Sequence, residues 1–161
     1  MIIRPATVAD ATAICAIWNP IIRDTGITFN SVEKTVADVE ACIAEKATLG
    51  YAMLVADEGG VQGFATYDQF RDGVGYDRTG EHSITLGPEA RGRGLGRLLM
   101  AEIEAHAKMR GFHSMFASVS AENSAGVKFH AALGYHEVAV LREVGFKFDR
   151  WFDLILMQKR L

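Results

Sequence analysis

The sequence predicts an α/β fold, a mixed central sheet flanked by helices. Helical and strand-like apolar patterns alternate along the chain in the order β-α-α-β-β-β-α-β-α-β-β, which no all-α or all-β fold accommodates. Capping pairs and glycines punctuate these segments where helices and hairpins should start and stop. The composition, 161 residues with 49% hydrophobic and 23% charged, is that of a globular chain with enough residues for one substantial core.

Each element has its own signal. Ile2-Ile3 before Arg4-Pro5 suggests a short first strand. Thr7 and Asp10 form a capping-box pair ahead of a helix carrying Ala11, Ile14, Cys15, Ile17 and Trp18. Thr35 and Asp38 repeat that signal before Val39, Cys42, Ile43 and Ala47, and Gly50 stops the helix. Residues 51–56, the turn Glu58-Gly59-Gly60 and residues 61–70 read as a β-hairpin. Residues 71–80, rich in glycine and charge, read as a loop, and 81–86 as a strand. Leu95, Leu98, Leu99, Ile103 and Ala107 stripe one face of a helix ending at Gly111. Strand 115–119, a short helix 125–133 closed by Gly134, and strands 135–144 and 151–157 complete the order.

The charge balance excludes some functions. A net charge of -3 and a pI near 5.9 leave no electrostatic footprint for nucleic acid or an anionic membrane. The N-terminal segment, with Arg4, Pro5 and Asp10, does not have the form of a signal peptide, and no apolar run approaches the length of a bilayer span. Cys15 and Cys42 lack metal-ligand spacing, and the histidines form no zinc motif, so the expectation is a cytoplasmic protein without a metal.

The segment Arg91-Gly92-Arg93-Gly94-Leu95-Gly96 carries the chemistry. It lies between a strand and a helix start, where glycines let backbone N–H groups converge on an anion and the helix dipole adds positive potential. The spacing is neither that of the nucleoside-triphosphate loop nor the G-x-G-x-x-G of dinucleotide folds. It matches [RQ]-x-x-G-x-[GA], the coenzyme A signature of the GNAT acyltransferases, whose order of elements the chain also shares. Glu81-His82-Ser83, Glu122-Asn123-Ser124-Ala125, the run from Phe129 to Tyr135 and the tail from Val144 to Leu154 extend the likeness. Over nearly its whole length the chain resembles the phosphinothricin and methionine sulfoximine/sulfone N-acetyltransferases, as one GNAT domain over residues 1–161. It departs from them at Phe29, Gly80, Gly87, Gly126 and the loop positions Gly73, Val74, Asp77 and Arg78.

The resemblance implies acetyl-CoA as co-substrate and direct transfer of its acetyl group to the α-amine of a small amino acid analogue. It implies no metal, and a homodimer with the C-terminal strands near the interface. The donor would be held by Ile84, Thr85 and Leu86 of the strand, by Arg91, Gly92, Arg93, Gly94, Leu95, Gly96 and Arg97 of the cradle, and by Asn123. Leu86 N–H would face the thioester carbonyl, Glu81 would take the amine proton, and His130 would protonate the departing thiolate or relay a proton. Phe29, Arg71, Val74, Gly75, Tyr76, Arg78 and Glu81 would line the acceptor pocket, with Lys147 and Arg150 reaching a neighbouring subunit's site. Acetylation of protein or peptide N-termini, and a non-catalytic acyl-CoA-binding domain, remain alternatives.

Overall fold

A computed structural model describes residues 1–161. Its elements follow the expected order: β1 (Ile2–Pro5), α1 (Ala11–Asp24), α2 (Val36–Leu49), β2 (Met53–Asp57), β3 (Val61–Gln69), β4 (Thr79–Leu86), α3 (Leu95–Met109), β5 (Ser114–Ser120), α4 (Ser124–Ala132), β6 (His136–Lys147) and β7 (Arg150–Arg160). The strands form one sheet in the order β1-β2-β3-β4-β5-β7-β6, in which β4 and β5 are the parallel pair and every other pairing is antiparallel. No helix is long and apolar enough to cross a membrane.

The caps behave as their side chains dictate. Asp38 N–H donates to Thr35 Oγ1 at 3.1 Å while Thr35 N–H donates to the Asp38 carboxylate at 2.8 Å, and Gly50 ends α2 in the left-handed region at φ 75°. Asp10 accepts from Thr7 N–H at 2.8 Å, but that turn is a short 3-10 segment preceding α1. Arg4 bridges Asp10 and Asp57, and its guanidinium holds the Asp10 carboxyl down at about 2. Helix α1 extends through Pro20 to Asp24, past the expected stripe. Asn19 braces it there, donating to Lys34 O at 2.9 Å and accepting from Lys34 N–H at 2.8 Å.

Two apolar layers fix the sheet faces. On one, Leu99, Met100 and Ile103 of α3 pack against Ala65, Tyr67, Met115 and Ala117; on the other, Ile14 and Cys15 of α1 and Val39 and Ile43 of α2 pack against Val55 and Phe64. Thr79 and Gly80, expected in the loop, belong to β4, where they pair with Phe70/Gln69 and with Ser114 and Met115.

Candidate active site

The site begins where two strands part. β4 and β5 pair from Thr79↔Ser114 to His82↔Ala117 and no further, although β4 runs on to Leu86 and β5 to Ser120. Gly87 N–H bonds Gln62 O, and Phe70 N–H bonds Thr79 O, which fixes the β3/β4 phase: odd-numbered residues of β4 turn their backbone groups to β3. Even-numbered residues turn theirs toward β5. Ile84 and Leu86 therefore present N–H and C=O to an open wedge instead of to a partner strand.

Side chains alternate with the same period. His82, Ile84 and Leu86 face α3 and α4, whereas Glu81, Ser83 and Thr85 share the α1/α2 face with Phe64 and Phe116. A cavity of about 620 Å³ fills the wedge. Ile84, Thr85 and Leu86 line it, together with Arg91, Gly92, Gly94, Leu95, Gly96, Arg97 and Asn123, as the sequence led us to expect.

The glycine segment forms a run of free donors. No protein group accepts from the N–H groups of Gly92 through Arg97; the first helical bond of α3 is Leu98 N–H to Gly94 O at 3.3 Å. Gly92 at φ 72° and Gly94 at φ 81° hold left-handed conformations that glycine adopts without the Cβ clash. At Gly96 a Cβ would stand 3.1 Å from the Phe129 ring, so this glycine brings α4 against the start of α3. A pyrophosphate fits this array of unpartnered donors, and a pantetheine amide chain fits the free strand edge beside it. Arg93 is the exception within the cradle: its guanidinium pairs with Glu58 at 2.6 Å and does not line the cavity.

Asn123 caps α4, accepting from Gly126 N–H at 2.9 Å, and lines the cavity from the far side. The unexpected Gly126 has a physical reason, because a Cβ there would lie 2.4 Å from the Asn123 amide nitrogen.

Glu81 is half-buried on the α1/α2 face and accepts a hydrogen bond from the Ser118 hydroxyl, which lines the cavity. His130 is buried, 7% exposed. Its Nδ1 lies 2.7 Å from Gly126 O, and since a carbonyl only accepts, Nδ1 carries the proton. Its Nε2 then accepts from Nε2 of His82, 2.9 Å away. Burial, reinforced by His130, pushes the His82 imidazole down to about 3, and burial also lowers His130, so both rings are neutral. Behind them Tyr135 donates to Glu104 at 2.9 Å, and Lys159 pairs with the same carboxylate at 2.5 Å. The expected role of His130 as proton donor meets an obstacle: both of its ring nitrogens are engaged inside the protein. The pairing of His82 with His130 has no local sequence signal, because 48 residues separate the two.

The acceptor side needs the larger correction. Phe29, Arg71, Val74, Gly75, Tyr76, Arg78 and Glu81 do not line the cavity, and Glu81 is linked to it only through Ser118. Phe29 packs on Phe152, centroids 5.5 Å apart, and residues 71–78 form an exposed excursion in which Arg71 stacks over Tyr76 at 5.7 Å. Lys147 is buried on backbone carbonyls, and Arg150 pairs with Glu122 at 2.5 Å. The wall that does face the wedge from the α1 side is Trp18, Ile21, Ile27 and Thr28. No sequence signal marked Ile27 and Thr28; the amphipathic pattern of α1 reached only to Trp18.

Comparison with known proteins agrees with this geometry. The family described as the acetyltransferase (GNAT) domain matches residues 3–156. An L-amino acid N-acyltransferase, MnaT, of Escherichia coli is 38% identical, over 100% of this chain and 94% of its own length. An L-methionine sulfoximine/L-methionine sulfone acetyltransferase of Salmonella typhimurium is 36% identical over 100% of this chain and 95% of its own. The crystal structure of a GNAT-superfamily phosphinothricin acetyltransferase from Sinorhizobium meliloti in complex with acetyl-CoA superposes with a TM-score of 0.93 at 31% identity, covering 99% of this chain and 88% of that one.

Proposed function

Since this chain belongs to the GNAT acetyltransferase family, and is by that membership an N-acetyltransferase using acetyl-CoA, we propose that it acetylates the α-amine of small amino acids of the methionine sulfone and methionine sulfoximine type. One observation carries the reading: the pairing of β4 with β5 ends at His82, and the freed edge of Ile84 and Leu86 continues into the unpartnered N–H groups from Gly92 to Arg97.

The co-substrate supplies an acyl thioester. In our reading Gly92 through Arg97, with Arg91 and Arg97, hold its diphosphate, and Ile84, Leu86 and Asn123 align its arm. Leu86 N–H stands ready to donate to an oxygen that gains negative charge beside the strand edge, an interaction of about 2.7–4 kcal/mol in comparable sites. On the opposite face, Glu81 receives one proton of the acceptor ammonium directly or through one water, with Ser118 orienting the carboxylate. The freed amine bonds the acyl carbon, the C–S bond breaks, and the sulfur leaves as thiol with the second amine proton. His130 holds α4, and with it Asn123, against β4; the geometry favours this over proton donation because neither of its nitrogens is free.

The acceptor's side chain meets Trp18, Ile21, Ile27 and Thr28, none of them charged. This supports an uncharged side chain such as a sulfone or sulfoximine over the anionic phosphinate of phosphinothricin, since a buried anion without a counter-charge is unfavourable. We also propose a homodimer with the C-terminal strands near its interface. Exposed apolar residues on β6 and β7, among them Val138, Val144, Phe146 and Trp151, support such an interface. The reduced thiols of Cys15 and Cys42 agree with a cytoplasmic location.

Thiol release from acetyl-CoA across a panel of amino acids tests the reading. Turnover should be greatest with methionine sulfone, methionine sulfoximine and methionine, and weaker with phosphinothricin. Turnover confined to peptide N-termini or polyamines would overturn the substrate assignment.

A further inference from the structure

The β6–β7 hairpin bonds across the molecule to the segment after α1 through the Lys147 side chain. Lys147, 4% exposed, ends β6 and directs its ammonium into a cage of main-chain oxygens: Ile22 O at 2.5 Å, Thr25 O at 2.6 Å and Thr28 O at 2.9 Å. All three ammonium protons are thereby used. Ile22 O is one of the carbonyls left open at the C-terminal end of α1, where the helix dipole favours a cation. Thr25 and Thr28 belong to the segment that follows, and Ile27 and Thr28 of that segment line the cavity.

The neighbouring contacts fasten the same segment to the same hairpin. Phe29 lies on Phe152, and a Cβ at Gly145 would come within 2.3 Å of the Phe29 ring. A Cβ at Gly26 would stand 2.4 Å from the Phe152 ring. Residues 25–29 thus have no helix or strand of their own; local hydrogen bonds of Thr25 to Ile21 O and from Ile27 N–H, the Lys147 ammonium and two close-packed glycines hold their path.

We propose that Lys147 is a positioning residue for acceptor recognition: by spooling residues 22–28 around its ammonium it places Ile27 and Thr28 against the open wedge, while taking no part in binding the acetyl donor. This rests on assigning the α1 side of the cavity to the acceptor. The donor cradle, residues 91–97, is formed by other elements and shares no hydrogen bond with the cage.

Lys147→Met keeps an unbranched side chain as far as the ε position and removes every hydrogen bond of the ammonium; Gly145→Ala leaves Lys147 intact and displaces Phe29 from the same unit. The expected result for both is at least a tenfold rise in KM for methionine sulfone, with acetyl-CoA affinity by calorimetry unchanged within twofold. Amide hydrogen exchange should accelerate in residues 25–29 and not in 91–97, a readout that holds whatever the acceptor is. Should Lys147→Met fail to fold, Gly145→Ala carries the test alone. Equal losses for donor and acceptor, a fall in kcat alone, or unchanged exchange in 25–29 would overturn the proposal. A parent enzyme that releases no thiol with any amino acid, yet shows the exchange pattern, would instead overturn the acceptor reading and leave the positioning of the segment standing.

Discussion

Gly94→Leu separates the fold from the donor site. Gly94 stands at φ 81°, and a side chain there incurs the left-handed penalty of about 1–2 kcal/mol. Nothing in the protein lies within 4 Å of the new Cβ, so backbone strain is the cost to folding at that atom. For a chain of this size that lowers the melting temperature by roughly 2–8 °C. The donor would suffer more. The N–H groups of Gly92 through Arg97 have no protein partner, and hydrogen bonds to a charged group contribute about 1.5–3 kcal/mol each. Turning two of them from a diphosphate weakens binding by about 3–6 kcal/mol, or roughly 10²–10⁴-fold. Calorimetric titration with acetyl-CoA beside a thermal melt reads both numbers. Affinity within about threefold of the parent, together with the expected drop in melting temperature, would refute the cradle.

Glu81→Gln retains the acceptor for Ser118 and removes the base, so kcat for methionine sulfone should fall by about 10²–10⁴ with acetyl-CoA binding intact; a loss below about tenfold in steady-state assays excludes Glu81 as the general base. Acid should destabilise the fold in two windows. His82 is held near 3 when folded and titrates near 6.5 when unfolded, so above pH 6.5 it contributes no pH dependence, and below it the unfolded chain binds the extra proton and stability falls. Between pH 7.5 and pH 5 this amounts to about 2 kcal/mol, and urea titrations of His82→Gln should show that much less dependence on pH over the interval. Asp10, held at about 2 by Arg4, acts in a lower window: its contribution is complete above the unfolded value near 3.8 and disappears as the pH falls toward 2. Asp10→Asn should flatten the acid limb below pH 4 and leave the slope between pH 6.5 and 5 as it was.

The parts of the molecule that were legible in the sequence are those whose chemistry is local. Thr35 and Asp38 cap the helix they adjoin, Gly50 ends it, and the glycines from 92 to 96 build their cradle from consecutive backbone groups. A contiguous motif suffices because the atoms that bind are the main chain's own. The parts that escaped are assembled over long separations. Lys147 finds its acceptors in residues 22–28, His82 finds His130 on another element, and Ile27 and Thr28 line the cavity from a segment that bonds to the distant hairpin. The arginines and the tyrosine of residues 71–78 suited a polar acceptor by type. Type alone could not reveal that the β3–β4 connection carries them out from the cavity.

The alternation of β4 explains why donor and acceptor recognition obey different rules. At even positions the strand gives its main chain to the wedge and its side chains to the α3/α4 core, where His82, Ile84 and Leu86 are committed to packing. At odd positions the main chain is spent on β3 and the side chains of Glu81, Ser83 and Thr85 are free to face the acceptor. On this reading the donor is gripped by groups that every residue possesses, and substitution along β4 should alter its binding little so long as the strand stays open beyond His82. In our proposal the acceptor is read instead by side chains and by a loop wound on a distant lysine. Both neutral histidines sit on the α3/α4 side of the sheet with their protons engaged, which is why our proposal gives the amine's proton to Glu81 on the opposite face.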